Sequence, residues 1–124
     1  MNKLVFTLIF LTLLLSDLES SIICVEGKRI NSQSFELEFR HSIHGGKIAL
    51  YASVRDGKIL IEKMISDDEA SISYYTSQYS REDGKFVAIL NEEVGEMLVN
   101  EGWKLKAKGY EFETNRLTRI LVCR

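Results

Sequence analysis

Apolar and polar residues alternate along most of this chain, and this alternation limits the fold more than any other feature of the sequence. Phe35, Leu37 and Phe39, for example, are separated by charged residues. A period of two places successive side chains on opposite faces of a β-strand, so such segments are typical of half-buried strands. The pattern predicts strands at 22–26, 35–40, 48–54, the run after Gly57, 72–80, 86–90, 103–108 with its continuation 110–113, and 117–123.

The dipeptide Asp56-Gly57 lies between two alternating segments, which is the pattern of a two-residue type I′ hairpin turn. Such a turn fixes the register of the strands on either side. The pairs that it predicts are Arg55 with Lys58, Val54 with Ile59, and Ala52 with Ile61. Apolar residues then face apolar residues, so the turn and the alternation agree.

The period changes after residue 90. Apolar residues now follow a helical spacing, at Leu90, Val94, Met97 and Leu98. Asn91 is a suitable N-cap, and Gly102 a suitable residue just beyond a helix end. The pattern predicts one helix at 92–101, whereas the acidic segment 66–70 is expected to form a turn.

These elements predict a mainly β fold, with α+β as the broader alternative. We expect an antiparallel sheet, a sandwich or an open barrel of seven or eight strands, with one short helix packed against it.

The N-terminal segment 1–21 has the features of a secretory signal peptide. Lys3 precedes the uncharged apolar run 4–15, whose twelve residues would rise only about 18 Å as a helix, too short for the roughly 30 Å bilayer core. Cleavage is expected after Ser20 or Ser21. We therefore expect residues 22–124 to form one secreted domain, extracellular or periplasmic, with no stable membrane anchor after cleavage.

Both cysteines, Cys24 and Cys123, lie in the segment expected to be secreted. In an oxidising compartment two cysteines favour a disulfide bond, which here would join the first strand to the last. Two free thiols and intermolecular bonds are the alternatives.

No constellation in the sequence indicates catalysis, a metal or a cofactor. His41-x-x-His44 offers two ligands without a nearby third and is followed by two glycines, so a loop is expected there. Signal cleavage would remove one of 16 basic and two of 18 acidic residues, leaving a net charge near zero. That balance gives no basis for nucleic-acid binding.

Two groups of residues are candidates for binding. Tyr75 and Tyr79 fall on one face of the predicted strand 72–80, opposite Tyr74, and exposed tyrosines suit protein or carbohydrate contact. Lys104 and Lys106 lie with Lys108 on one strand face, in a C-terminal segment much richer in basic residues than 62–101. The alternatives are a tyrosine in the core and a solvated lysine face that protects an edge strand.

The segment 94–124 includes Leu98-Val-Asn-Glu-Gly-Trp-Lys-Leu105 and ends in Ile120-Leu-Val-Cys-Arg124. It resembles a family of small uncharacterised bacterial domains with a helix, a Gly-Trp-Glu-Leu-type strand start and a last strand closing in Lys-Arg. Lys104 replaces the family's usual acid, and the resemblance implies a fold but no activity. An early cysteine, short antiparallel strands and a late cysteine are also similar to the secreted C-type lysozyme inhibitors, whose inhibitory loop has no matching motif here.

The sequence thus predicts a small secreted binding module of unknown ligand, an inhibitor or effector that acts on a protein or glycan rather than an enzyme. A hydrolase with an unconventional carboxylate site and a structural envelope component are the alternatives. The oligomeric state is left open by the sequence.

Overall fold

The structure is a computed structural model that describes residues 22–123. The predicted signal peptide, 1–21, lies outside the described residues. Residues 22–123 form eleven β-strands and one α-helix. Their bounds are β1 (Ile22–Val25), β2 (Lys28–Asn31), β3 (Ser34–Arg40), β4 (Lys47–Arg55), β5 (Lys58–Ser66), α1 (Glu69–Ser73), β6 (Ser80–Glu82), β7 (Lys85–Val94), β8 (Glu96–Val99), β9 (Lys104–Ala107), β10 (Tyr110–Glu113) and β11 (Thr118–Val122).

The strands form two antiparallel sheets, which confirms the predicted mainly β class with one short helix. The four-stranded sheet has the order β2-β1-β11-β8, and the seven-stranded sheet has the order β10-β9-β3-β4-β5-β7-β6. Both sheets contribute to one buried apolar cluster, with Ile23 and Ile120 from the smaller sheet and Leu37, Ile48 and Ile59 from the larger. Neither sheet closes into a barrel in the described part of the chain.

The hairpin at Asp56-Gly57 is confirmed. Asp56 and Gly57 have φ angles of 52° and 74°, the positive values that a type I′ turn requires. The three predicted cross-strand pairs between β4 and β5 are all present.

The helix predicted at 92–101 is wrong. β7 runs through this segment to Val94, and β8 follows directly after Gly95. Burial in β8 follows a period of two, because Met97 and Val99 are buried while Leu98 between them is exposed. Pairing decides the outcome: β7 pairs with β5 in one sheet, whereas β8 pairs with β11 in the other.

The strand predicted at 72–80 is also wrong, since the helix of this fold, α1, begins at Glu69. Asp68 is its N-cap, and the Asp68 carboxylate accepts a hydrogen bond from the Ser71 N–H at 3.0 Å. Ile72 is completely buried in the core. The Asp68 cap and the burial of Ile72 together outweigh the strand propensity of the tyrosines that follow. None of the chain between residues 22 and 123 forms a helix with the length and apolar character needed to cross a membrane.

The predicted disulfide bond joins Cys24 on β1 to Cys123, directly after β11, with the two Cα atoms 5.2 Å apart. The Cys123 N–H donates to the Ile22 carbonyl at 2.9 Å, so the bridge extends an existing antiparallel strand pair. It closes a loop of 99 residues. Closure of a loop of that length stabilises a fold by at most about 4–5 kcal/mol on chain-entropy grounds.

Candidate binding surface

Six large apolar side chains stay exposed within residues 22–123, and five of them fall into two groups. The six are Ile43, Tyr74, Tyr75, Ile89, Leu98 and Leu117. Tyr74 and Tyr75 contact His41 of the loop 41–46, which also carries Ile43, whereas Leu98 lies on β8 and Leu117 directly before β11. Clustered exposed apolar groups mark candidate interaction surfaces, whereas an isolated one such as Ile89 needs no explanation.

Tyr74 and Tyr75 belong to a cluster of rings that we call the aromatic end, defined as Phe39, His41, His44, Tyr74, Tyr75 and Trp103. Its inner part lies at the end of β3 and just before β9. Phe39 and Trp103 stack with their ring centroids 3.9 Å apart, and Tyr75 meets Phe39 edge-on at 6.4 Å. Phe39 and Trp103 are half-buried and pack against the apolar core.

The outer part of the aromatic end joins the loop 41–46 to the residues that follow α1. The ring of His41 lies 4.6 Å from the ring of Tyr74 and 5.4 Å from that of Tyr75, measured between centroids. Tyr74 and Tyr75 contact each other at 5.2 Å, and His44 stacks on His41 at the same separation. Tyr74 is 60% exposed and Tyr75 46%, so the outermost rings face solvent.

Hydrogen bonds fix the loop 41–46 against α1. The Gly46 N–H donates to Ser71 Oγ at 3.0 Å, and that hydroxyl donates to Asp68 Oδ2 at 2.7 Å. Next to them, the Lys47 N–H donates to Asp67 Oδ1 at 3.0 Å. Contact is so close that a Cβ atom at Gly46 would lie 2.5 Å from Asp68 Cβ. The loop that carries His41 and His44 is therefore bonded to the helix that directly precedes Tyr74 and Tyr75.

The loop is also bonded within itself, around a buried histidine. The His41 N–H donates to the Gly46 carbonyl, and the Gly45 N–H donates to the His41 carbonyl, both at 2.8 Å. His41 is only 3% exposed, and its Nδ1 accepts a hydrogen bond from the His44 N–H at 3.1 Å. His41 thus has a structural role in this loop. Residues 22–123 contain no group of three side chains placed to hold a metal ion.

Thr114 fixes the backbone of Trp103 through hydrogen bonds. Its hydroxyl accepts a hydrogen bond from the Trp103 N–H at 3.0 Å and donates to the Asn100 carbonyl at 2.7 Å. The Thr114 N–H donates in turn to the Trp103 carbonyl at 2.8 Å. Because Thr114 is buried, these bonds are shielded from water, and they fix the backbone that carries the indole ring.

A shallow cleft of about 440 Å³ adjoins the aromatic end at Phe39. Two carboxylates and three cationic side chains line it, and its lining is Glu38, Phe39, Arg40, Lys47, Gly102, Lys104 and Glu113. The aromatic end and the cleft together offer ring faces beside charged donors and acceptors. Such a surface can bind a ligand that is partly apolar and partly polar.

Lys104 and Lys106, predicted as binding residues, point outward from the seven-stranded sheet and face carboxylates. Lys104 Nζ lies 3.5 Å from Glu111, and Lys106 Nζ lies 3.5 Å from Glu38. Lys47 Nζ approaches the same Glu38 oxygen at 2.7 Å. Burial alone would raise the pKa of Glu38, but the hydrogen bond from Lys47 and the charge of Lys106 outweigh it, so the pKa lies below its ordinary value.

Tyr75 and Tyr79, the other predicted residues, occupy different surroundings. Tyr75 is part of the aromatic end, where burial and the neighbouring Tyr74 raise its pKa. The Tyr79 hydroxyl donates to Glu69 at 3.0 Å, which raises the pKa of Tyr79, and its ring packs edge-on against Phe86. The face that the two tyrosines were predicted to share does not form, because the segment is not a strand.

The contributions of Phe39, His41 and Trp103 to this surface were not predicted. Each looks like an ordinary core or loop residue in its own segment. Only the pairing of β3 with β9 and the docking of the loop on α1 bring them together.

The fold and the surface define a two-sheet antiparallel β-domain, stapled by a disulfide bond, with an exposed aromatic end. No protein-family model, curated protein or solved structure matches the chain.

Proposed function

We propose that the protein is a small secreted binding module, an inhibitor or effector that holds a protein or glycan ligand on the aromatic end and in the adjoining cleft. The observation that carries the proposal is the exposure of Tyr74, Tyr75 and Ile43 above a frame fixed by backbone hydrogen bonds. Rigid aromatic side chains bind with little loss of conformational entropy, and tyrosine combines an apolar ring with a polar hydroxyl.

The composition of the surface supports a ligand with both apolar and polar parts. Sugar rings and protein side chains have apolar faces that pack on exposed rings, while Glu113 and Arg40 in the cleft can bind hydroxyl or charged groups. Secretion is part of the proposal. The predicted signal peptide supports it, and the Cys24–Cys123 bond is compatible with an oxidising compartment.

The binding experiment compares the wild-type protein with Tyr74→Ser/Tyr75→Ser and with Ile89→Ser as the control. Ile89 is 67% exposed on β7, away from the aromatic end. The protein is applied to a broad glycan array and to fractionated extracellular fluid of its source. Any ligand found is then titrated by calorimetry at up to 100 μM.

The wild-type protein and Ile89→Ser should bind one ligand equally, and the double variant at least tenfold more weakly. Equal binding by all three proteins would show that the aromatic end is not the site. A wild-type protein that binds nothing under these conditions would overturn the module proposal. Secretion is checked separately, by expressing the full chain in a secretory host and reading the N-terminus of the exported protein, which should begin at residue 21 or 22.

A further inference from the structure

The loop 41–46 contains a buried histidine that contacts the exposed rings of the aromatic end. His41 is 3% exposed, and its ring centroid lies within 5.4 Å of the centroids of His44, Tyr74 and Tyr75. Histidine is the side chain that ordinarily changes its charge between pH 5 and 8. A buried histidine in contact with a binding surface can therefore couple that surface to pH.

One hydrogen bond defines the protonation state of the His41 ring. The His44 backbone N–H donates to His41 Nδ1 at 3.1 Å. A backbone N–H can only donate, so Nδ1 must carry a free lone pair, and the single proton of the neutral ring is on Nε2. A proton on Nδ1 would place two N–H donors against each other. The bond therefore exists only while the His41 ring is neutral.

The other bonds of the loop do not depend on the His41 side chain. The His41 N–H donates to the Gly46 carbonyl, and the Gly45 N–H donates to the His41 carbonyl, both through backbone atoms. The Gly46 N–H is bonded to the Ser71 hydroxyl. A proton on His41 thus acts on one bond only, while both ends of the loop stay attached. The segment that this bond holds is 42–44.

Carboxylates on the side of α1 attract a positive charge at His41. The hydrogen bond from the Ser71 hydroxyl is the main cause that lowers the pKa of Asp68, and the charges of His44 and His41 lower it further. The same attraction acts on the imidazole rings in return. The neighbouring Asp67 carboxylate accepts a hydrogen bond from the backbone just after the loop. The surroundings on this side therefore permit a charged His41.

The groups on the other sides of His41 act in both directions. The ring faces of Tyr74 and Tyr75 attract a cation. The Arg40 guanidinium, which donates to the carbonyl of the loop residue Gly45 at 3.0 Å, repels one, and so does His44 when it is protonated. These charge effects oppose one another. Loss of the bond from the His44 N–H is the one effect that always disfavours the closed loop in acid.

We infer that the loop 41–46 is a pH-sensitive switch, in which a proton on His41 Nδ1 breaks the bond to the His44 N–H and releases the segment 42–44. The closed loop binds one proton fewer than the open loop. Its stability relative to the open loop is therefore complete above the ordinary histidine pKa of about 6.5 and falls below it. The ratio of open to closed loop rises by up to about tenfold for each pH unit.

The switch regulates ligand binding if the aromatic end is the ligand surface, and this consequence rests on the proposed function. The segment 42–44 carries Ile43, which is 66% exposed, and the His44 ring that stacks on His41. Release of the segment removes both side chains from their fixed positions. A ligand held at neutral pH should therefore dissociate in an acidic compartment.

The first measurement tests the switch without any ligand, by NMR of the full chain, exported in oxidised form, from pH 7.5 to pH 5.0. Nitrogen-15 correlation spectra of the imidazole rings show which nitrogen carries a proton, and hydrogen exchange gives the protection of each amide. Protection of the His44 amide should fall at least tenfold as His41 Nδ1 gains its proton. Protection of the Gly46 amide should change less than twofold.

Two variants identify the group that titrates. His41→Asn replaces Nδ1 with a carbonyl oxygen that accepts a hydrogen bond and does not titrate, so protection at residue 44 should no longer depend on pH. His44→Ala keeps the backbone donor and should lose protection in acid as the wild-type protein does. Near-UV circular dichroism identifies a variant that fails to fold, and the wild-type titration then decides alone.

Three results would overturn the switch. They are constant protection of the His44 amide in the wild-type protein, the same loss of protection in His41→Asn, and no loss in His44→Ala.

The second measurement tests the regulation of binding. A ligand found in the binding experiment is titrated at pH 7.5 and pH 5.0, and its affinity should fall at least fivefold in the wild-type protein but not in His41→Asn. Equal affinities at the two pH values would overturn the regulatory role. If no ligand is found, the proposed function fails, whereas the NMR titration still decides whether the switch exists.

Discussion

The aromatic end contains one predicted binding residue, Tyr75, and the charged outer face of the seven-stranded sheet contains two, Lys104 and Lys106, but the two surfaces differ in how far their groups satisfy one another. On the charged face, Lys104 and Lys106 stand in register with Glu38 and Glu36 on β3, and each lysine has a carboxylate within 3.5 Å. At the aromatic end, the backbone groups are bonded but Tyr74 and Tyr75 still face solvent. Exposure alone therefore does not identify a binding surface. The lysines of the charged face are already paired with carboxylates, whereas Tyr74 and Tyr75 keep much of their surface open to a ligand.

The largest expected effect on the free energy of unfolding comes from disrupting the contact between the loop 41–46 and α1 at Gly46. Gly46→Ala places a methyl group against Asp68 and Ser71, and we expect it to lower the free energy of unfolding by about 2–3 kcal/mol. Gly95→Ala is the control, because a Cβ atom there meets nothing within 4 Å. Urea denaturation measures both changes. Equal midpoints for the two variants would show that the loop is not held tightly against α1.

The next largest effect is expected from removing the hydrogen bond between the Gly46 N–H and Ser71 Oγ. Ser71→Ala leaves the buried Gly46 N–H without an acceptor, which should cost about 1–3 kcal/mol. Ser73→Ala in the same helix removes an exposed hydroxyl that bonds only to the Ala70 carbonyl, so its effect should stay within about 0.5 kcal/mol. Hydrogen exchange at Gly46 should accelerate in the first variant alone. Retained protection there would contradict the assigned bond.

A smaller effect is expected on the charged face. Glu38→Gln should destabilise the protein by about 0.5–1 kcal/mol at pH 6. Because the pKa of Glu38 is lowered by folding, its contribution is present above the ordinary pKa of glutamate, about 4.3, and disappears as the pH falls through the lower folded value. The stability difference between the wild-type protein and the variant should therefore shrink from pH 6 to pH 3. A difference that is constant across this range would rule out the ionised Glu38 as its source.

The smallest effect on stability should come from the outermost ring. Tyr74→Ser removes a mostly exposed side chain, and we expect a change within about 0.5 kcal/mol in urea denaturation. If the proposed function is correct, the same variant weakens ligand binding, which separates this surface from the charged face. A loss above about 1.5 kcal/mol would instead assign Tyr74 to the core.

Local patterns predicted the parts of the fold that depend on local interactions. The β4–β5 hairpin followed from Asp56-Gly57 and its flanking alternation, since turn geometry fixes strand register. The helix predicted at 92–101 was wrong because the apolar spacing of this segment fits a helix and a strand about equally well. Only pairing with β5 and β11 decides in favour of strands. The short helix α1 was missed although Asp68 is a good N-cap, because the tyrosines that follow favour a strand.

The candidate surface was less predictable than the fold. Tyr75 was singled out from its residue type, but its partners Phe39, His41 and Trp103 come from distant segments of the chain. Pairing between distant strands brings these residues together, and the periodicity of the sequence does not predict that pairing. For the same reason the lysine stripe was visible in the sequence, whereas the carboxylates that face it across β3 and β10 were not.

The bond between Cys24 and Cys123 also has a mechanical consequence. Any tension applied to the chain on the two sides of this bridge passes through the covalent link, so the chain between the two cysteines, which are 99 positions apart, bears none of it. The sheets would keep their hydrogen-bond ladders under a pull that would unzip a reduced chain strand by strand. Oxidation thus makes the protein an inextensible link that presents its aromatic end unchanged under load.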